Sequence, residues 1–283
     1  MSTVADIYSF IQYRPDIQVT IDDLVHVVDQ AVRTIAKRLY VLESDLITGQ
    51  MEVDIFASVD YTASMAFVDS NPDTITDAAS QFVAEGFEVD MPITTSHASN
   101  PGPFRIATVA VGTLTLATTD AVTAAIASSF KITSDDSYGF LPTDFWGLKN
   151  KPYLDGKDYT LLPLPSVDVE IAYTSAGEPR YYKIRGTKIY VTPHTSADYT
   201  IKADYFQKPT AITTTTATLP FNELFDDLIA EYVIKYFRGA KAEGVQGESL
   251  LSKMIIENVD LIANRYDKRT PVEFPQAVDW NNI

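Results

Sequence analysis

Arg180-Tyr181-Tyr182-Lys183-Ile184-Arg185-Gly186-Thr187-Lys188-Ile189-Tyr190-Val191-Thr192, and then Tyr199-Thr200-Ile201-Lys202-Ala203-Asp204-Tyr205-Phe206, carries a clear strand pattern. It is rich in aromatic and β-branched residues and is cut by a Gly-Thr dipeptide, the pattern of strands joined by tight turns. In the last run Tyr199, Ile201, Ala203 and Tyr205 alternate with Thr200, Lys202, Asp204 and Phe206, so one face is buried and the other is not. The three runs read as an antiparallel β meander, with Gly186-Thr187 and residues 194–198 as its turns. Just upstream, Lys151-Pro152-Tyr153-Leu154-Asp155-Gly156-Lys157 reads as a strand that ends in an Asp-Gly turn.

Downstream, Thr213 to Thr216 is a short linker, and the period changes from two to between three and four. Phe221, Leu224, Phe225, Leu228, Tyr232, Val233, Tyr236 and Phe237 form one apolar face of a helix over 221–237. Its start carries Glu223, Asp226 and Asp227 and its end Lys235 and Arg238, which suits the helix dipole. Gly239 and Gly244 mark a break, and Leu251, Met254, Ile255, Val259 and Ile262 define a second helix over 248–266. The two read as an αα-hairpin that packs on a long N-terminal helix, 20–42. There Ile21, Leu24, Val25, Val28, Val32, Ile35, Ala36 and Leu39 make the apolar stripe, and Thr20 caps.

Between these parts, residues 50–133 are rich in Thr, Val, Ala and Ser, alternate in polarity and are punctuated by Asn100-Pro101-Gly102-Pro103. Residues 60–133 are expected to form a compact β unit, a small barrel or sandwich, with one short helix over Ala78 to Gly86. The predicted fold class is α+β: a helical bundle made by the N-terminal helix and the C-terminal αα-hairpin, an antiparallel β meander, and the inserted β domain. The expected divisions are 1–59 with 134–267 as the core, 60–133 as the insert, and 268–283 as an extended arm.

Composition narrows the function. With 22 basic and 38 acidic side chains the formal charge is -16, which disfavours gripping nucleic acid. Two readings of the surplus acid stay open: it maintains solubility, or it lines a surface past which DNA slides without sticking. The absence of cysteine removes disulfides and thiolate chemistry and fits a reducing compartment. No signal peptide or membrane-spanning run is read, so a soluble chain made in the cytosol is expected.

No catalytic constellation, cofactor motif or metal set emerges, so an enzyme is not expected. His26, His97 and His194 lie in separate segments without a second ligand at metal spacing; His26 reads as a structural helix residue and the other two as solvated turn residues. Asp22-Asp23 and Asp226-Asp227 sit at helix starts, where carboxylates are favoured for structural reasons. Asp135-Asp136 lacks the loop of a calcium site, and nothing favours Asp168 and Glu170 as a catalytic pair. In contrast, Thr270-Pro271-Val272-Glu273-Phe274-Pro275 must be extended through its prolines. Val272, Phe274, Val278, Trp280 and Ile283 then form a row of apolar anchors, expected to dock on another subunit.

The run Gly139-Phe140-Leu141-Pro142-Thr143-Asp144-Phe145 resembles the opening of the tailed-phage head-to-tail adaptor family. So do the strands quoted above and the αα-hairpin after them, in that order. Asp73-Thr74-Ile75-Thr76, Phe82 to Phe87 and Asn100 to Ala107 are similar to a small β insert of phage neck and tail proteins. Asp90 and His97 stand where such inserts commonly carry glycine, which implies different turns there. The resemblance implies a dodecameric homo-oligomer mounted in the virion neck beneath the portal protein and assembled in the host cytoplasm. It further implies that tail tube or nozzle proteins lie below the ring, that DNA passes through without specific binding, and that the C-terminal segment grips the portal. Two alternatives stay open. One is a stopper or tail-tube component. The other is a carbohydrate-binding module with Tyr61 and Phe67 facing sugar, although core packing is the commoner role of such residues.

Overall fold

A computed structural model describes residues 3–12, 19–165, 175–221, 225–240 and 253–263. It is mixed α+β and divides into two compact units, residues 1–49 with 206–283, and residues 50–205.

The first unit is helical. Helix α1 (Val4–Ile11) buries Val4, Ile7 and Ile11 and starts with a capping box: Thr3 and Asp6 exchange side chain-to-backbone bonds. Helix α2 (Ile21–Val41) is capped by the Thr20 hydroxyl, which accepts from the Asp23 N–H at 3.2 Å. Its buried stripe is Leu24, Val27, Val28, Ala31, Val32, Ile35, Ala36 and Leu39; Ile21 is left largely exposed. Helix α3 (Asp226–Lys235) packs against α1 and α2 and widens into a π turn over Tyr236–Ala240. Gly239 therefore continues the coil where a break was expected. Residues 253–263 form a further helix, α4, which is tied to α2 by a two-pronged Arg38–Asp260 ion pair with both bonds at 2.6 Å. The link expected to make a hairpin of α3 and α4 lies outside the described residues.

Two carboxylates make this unit sensitive to acid. Burial pushes the Asp29 carboxyl up, but bonds from Arg33 and the Ile212 N–H outweigh it and hold the group below its usual range. Asp260 is held low by the bond from Arg38. A carboxyl whose folded pKa lies below its unfolded value stabilises the fold above about pH 4, and that contribution is lost as pH falls through the folded value. The helical melting midpoint, followed by circular dichroism, is expected to drop between about pH 6 and about pH 3. The double variant Asp29→Asn, Asp260→Asn is expected to show a smaller drop; an equal one assigns the acid sensitivity elsewhere.

The second unit holds a sandwich and a barrel. One sheet of the sandwich joins β1 (Thr48–Ile55), β14 (Tyr199–Gln207) and β10 (Tyr153–Leu154) in that order, with β9 (Phe145–Leu148) also on β14. The other has the order β11 (Leu162–Pro163), β12 (Tyr181–Arg185), β13 (Lys188–Thr192), β8 (Tyr138–Phe140). The β12–β13 hairpin is as expected. Arg185 pairs with Lys188 across Gly186-Thr187, and Gly186 has φ 63°, which suits glycine at the first position of a two-residue turn. The meander stops there. β14 does not lie beside β13 but crosses to the opposite sheet, and β11 runs parallel to β12. The alternation within β14 correctly buries Ile201, Ala203 and Tyr205. Alternation specifies a buried face, however, and not the strand that shares it. Met51, Val53, Ile55, Leu141, Leu154, Ile189, Val191 and Ile201 fill the space between the sheets. Gly139 of β8 lies so close to β1 that a Cβ would sit 2.4 Å from Val53 Cγ1 and 2.6 Å from the Asp54 carbonyl oxygen.

The remaining strands of this unit close into a barrel. Strands β2 (Asp60–Val68), β3 (Thr74–Asp77), β6 (Thr113–Leu116), β5 (Phe104–Ala110), β4 (Pro92–Thr95) and β7 (Ala125–Ser134) follow one another around it. β7 returns to pair with β2 from Asp60–Thr133 to Phe67–Ala125. Phe67, Phe82, Phe87, Phe104, Phe130, Met65 and Met91 are among the residues that fill it, and Phe67 stacks on Phe130 with centroids 4.9 Å apart. Buried polar groups fasten the loops. Asp73 accepts from Ser70 and Val122 N–H groups, Asn100 trades bonds with the backbone of Thr123, and Asp77 takes three donors. Ala78 to Gly86 is a series of turns and not a helix, because Ser80 (φ 57°) and Gly86 (φ 87°) leave the right-handed region. Asp90 has φ 69°, a left-handed backbone of the kind that favours glycine.

Candidate interaction site

The hairpin that fixes the sandwich also builds a site on its outer face. β13 pairs with β8 in the register Lys188–Phe140, Ile189–Gly139, Tyr190–Tyr138. Period two sends Ile189 into the core and leaves Lys188, Tyr190, Tyr138 and Phe140 together on the other side. Lys188 Nζ stands 3.8 Å from the centroid of Tyr138 and 5.5 Å from that of Phe140. Tyr138 meets Phe140 edge-on at 5.5 Å and Tyr190 at 5.3 Å. Cations over ring faces are attracted by the ring quadrupole.

Arg105, at the start of β5, closes this row from the barrel side. Its guanidinium lies 4.8 Å from the centroid of Phe140 and is held by Asp90 at 2.7 Å, while its backbone N–H donates to Asp120 at 2.6 Å. Between barrel and hairpin remains a cavity of about 320 Å³, lined among others by Phe104, Arg105, Asp120, Phe140, Leu141 and Lys188. Burial pushes the Lys188 ammonium pKa down, with Asp135 and Asp120 opposing at longer range. Burial also pushes the Tyr138 phenol up.

The residues singled out in the sequence fall elsewhere. The anchors Val272, Phe274, Val278, Trp280 and Ile283 lie outside the described residues, as do Asp168 and Glu170. His26 is exposed on α2. His194 bonds Asp136 at 2.9 Å, and Asp135 accepts from the Ser137 N–H and hydroxyl, so the Asp135-Asp136 pair is used locally. His97 is not a solvated turn residue. Its ring packs 5.2 Å from Phe67 and 5.4 Å from Phe130, drawn in by the aromatic wall of the barrel. Tyr61 and Phe67 are buried in the barrel core and offer no face to a sugar. Among the described residues no group of His, Asp or Glu is placed to hold a metal ion, and no helix is long and apolar enough to cross a membrane.

The cleft residues were missed because each looked ordinary alone. Lys188 reads as a turn-flanking strand residue, and only the β8–β13 register brings it over Tyr138. The alternation of Lys188 and Tyr190 with Ile189 and Val191 was the available signal.

A family model described as SU10 adaptor protein matches residues 104–251, just over half of the 283 residues. The chain belongs to the SU10 adaptor family. The match begins at Phe104, takes in β5 to β7 of the barrel and both sheets of the sandwich except β1, and ends beyond α3. It therefore contains Arg105, Phe140 and Lys188, the three groups that meet at the cleft. SU10 adaptors are a structural, phage-type family, so the role is that of a virion-associated adaptor that works through contacts with other capsid or tail proteins. Among curated proteins the chain has no match.

Proposed function

We propose that this SU10 adaptor is the head-to-tail adaptor of a tailed bacteriophage: a dodecameric ring set beneath the portal, joining capsid to tail and lining the DNA channel. The observation that carries this reading is the family match over residues 104–251. In the proposed assembly the helices α1 to α4 form a bundle that builds the ring, and the barrel, 60–133, is an insert offered to tail tube or nozzle proteins. Residues 268–283 dock on the portal through Val272, Phe274, Val278, Trp280 and Ile283. Each well-buried anchor contributes about 1.5–3 kcal/mol, and repetition around a ring turns modest contacts into lasting ones. A charge of -16 supports loose transit of DNA, since like charge keeps the duplex off the wall. On this reading the protein belongs to the virion neck and is assembled in the host cytoplasm.

The test is mass photometry of the full chain and of a truncation after Asp267, each alone and with portal. A ring-sized species or decorated portal is expected for the full chain and neither for the truncation. Full chain that stays monomeric and ignores portal rejects the adaptor ring. Truncated chain that binds portal as well as the full chain rejects only the arm.

A further inference from the structure

A cleft lies between the barrel and the β12–β13 hairpin. We infer that it is a docking pocket for an extended protein segment that places a carboxylate against Lys188 and Arg105 and an apolar side chain against Phe104, Phe140 and Leu141. The inference rests on the adaptor reading, and it specifies the chemistry by which the barrel side of the molecule takes a tail-side partner.

Three observations carry it. Lys188 is partly buried on the faces of Tyr138 and Phe140, yet no carboxylate lies within ion-pair distance of it among the described residues. Several other cations on this unit do have such a partner: Lys131 with Asp60, Lys157 with Glu178, Lys202 with Glu52 and Asp155. A partly desolvated ammonium without a carboxylate in contact is costly: burial pushes its pKa down, and Asp135 and Asp120 at longer range do not outweigh that. Second, Arg105 spends its Nε and one terminal nitrogen on Asp90, and its ring contact fixes the plane of the guanidinium. Further N–H donors remain on that plane. Third, the opening holds about 320 Å³ and is walled by Phe104, Phe140 and Leu141, room for one or two side chains and not for a duplex.

These features select a carboxylate on a protein over a phosphate on nucleic acid. Asp120 lines the cleft, Asp90 holds Arg105 and Asp135 acts on Lys188 at longer range, so the site as a whole carries no excess positive charge for a polyanion. A single carboxylate seated between Lys188 and Arg105 supplies the direct contact that Asp120 and Asp135 do not make, and leaves the bonds of Arg105 to Asp90 and Asp120 in place.

The pocket can be tested on the full chain with small probes, following amide and side-chain resonances by NMR. Acetyl-Glu-Phe-amide is expected to shift Lys188, Thr187 and Arg105, and acetyl-Gln-Phe-amide to bind about tenfold more weakly, because it lacks the charge-assisted bonds. Lys188→Met, which keeps the stem over the rings, is expected to remove the difference between the two. Equal binding of the two peptides, or none at concentrations on the order of 10 mM, overturns the proposal. So does tighter binding of the thymidine dinucleotide dTpdT, which would make the occupant a phosphate. None of these results bears on ring formation or portal binding, which the mass-photometry test reads separately.

Discussion

Gly139→Val is expected to yield a second unit that does not fold, and Gly139→Ala to lower its stability by about 3 kcal/mol or more, the upper end of what overpacking costs. The alanine Cβ would lie 2.4 Å from Val53 Cγ1 and 2.6 Å from the Asp54 carbonyl oxygen, with Ile55 Cγ1 at 3.4 Å. A side chain can turn away, but a carbonyl in β1 cannot without disturbing the sheet it shares with β14. Asp54 is also fastened across the two strands, since its carboxylate accepts from the Thr200 hydroxyl at 2.7 Å. Adding Val53→Ala to Gly139→Ala is therefore expected to recover only part of the loss. Urea unfolding measures all three variants; an alanine variant within about 0.5 kcal/mol of the parent, the range of an ordinary surface change, would show that β8 and β1 do not meet this closely.

Asp77→Ala is expected to destabilise the barrel by about 3 kcal/mol, as removal of a buried charged acceptor leaves its donors unmatched. Asp77 is 4% exposed and accepts from Tyr61 Oη at 2.7 Å, the Ala79 N–H at 2.9 Å and the Gln81 N–H at 3.1 Å. Burial pushes its carboxyl up, and these donors, Tyr61 first, outweigh it and hold the group low. On the other side of the bond, burial and then Asp77 push the Tyr61 phenol up to about 12. Asp77→Asn keeps one acceptor oxygen and is expected to cost less than alanine, while Tyr61→Phe removes a donor and leaves the two backbone bonds in place. Thermal unfolding of the three variants is expected to rank them alanine worst, then asparagine, then phenylalanine. If alanine proves the mildest, the carboxylate is not what holds the 77–81 turn.

The parts of the fold that were legible in the sequence are those governed by neighbours along the chain. The Gly186 turn, most of the α2 stripe and most of the β14 alternation depend on spacing alone; the exceptions are Ile21, which is exposed, Val27, which joins the stripe, and Phe206, which is buried although it alternates with the core face. The capping box of Thr3 and Asp6 ahead of Val4, Ile7 and Ile11 was equally local and could have revealed α1. What failed depended on distant partners. β14 shows the same alternation whether it lies beside β13 or beside β1. His97 stands in a polar turn, Ser96 to Asn100, and only closure of the barrel brings Phe67 and Phe130 to it. The cleft is the extreme case, because Arg105, Phe140 and Lys188 come from three separate strands and mean nothing singly. The apolar row of residues 268–283 is a reading of composition alone, and the truncation experiment tests its role.

Barrel closure has a consequence for assembly. The pairing of β7 with β2 satisfies the main-chain groups that an open sheet would leave available at its margins. Where many copies crowd together, such free margins invite strand-to-strand polymerisation. A self-contained cylinder is inert in that sense, so barrels can be packed side by side at high local concentration without templating one another. Any specific association they make has to be written in side chains and loops, which restricts it to partners of matching shape and charge.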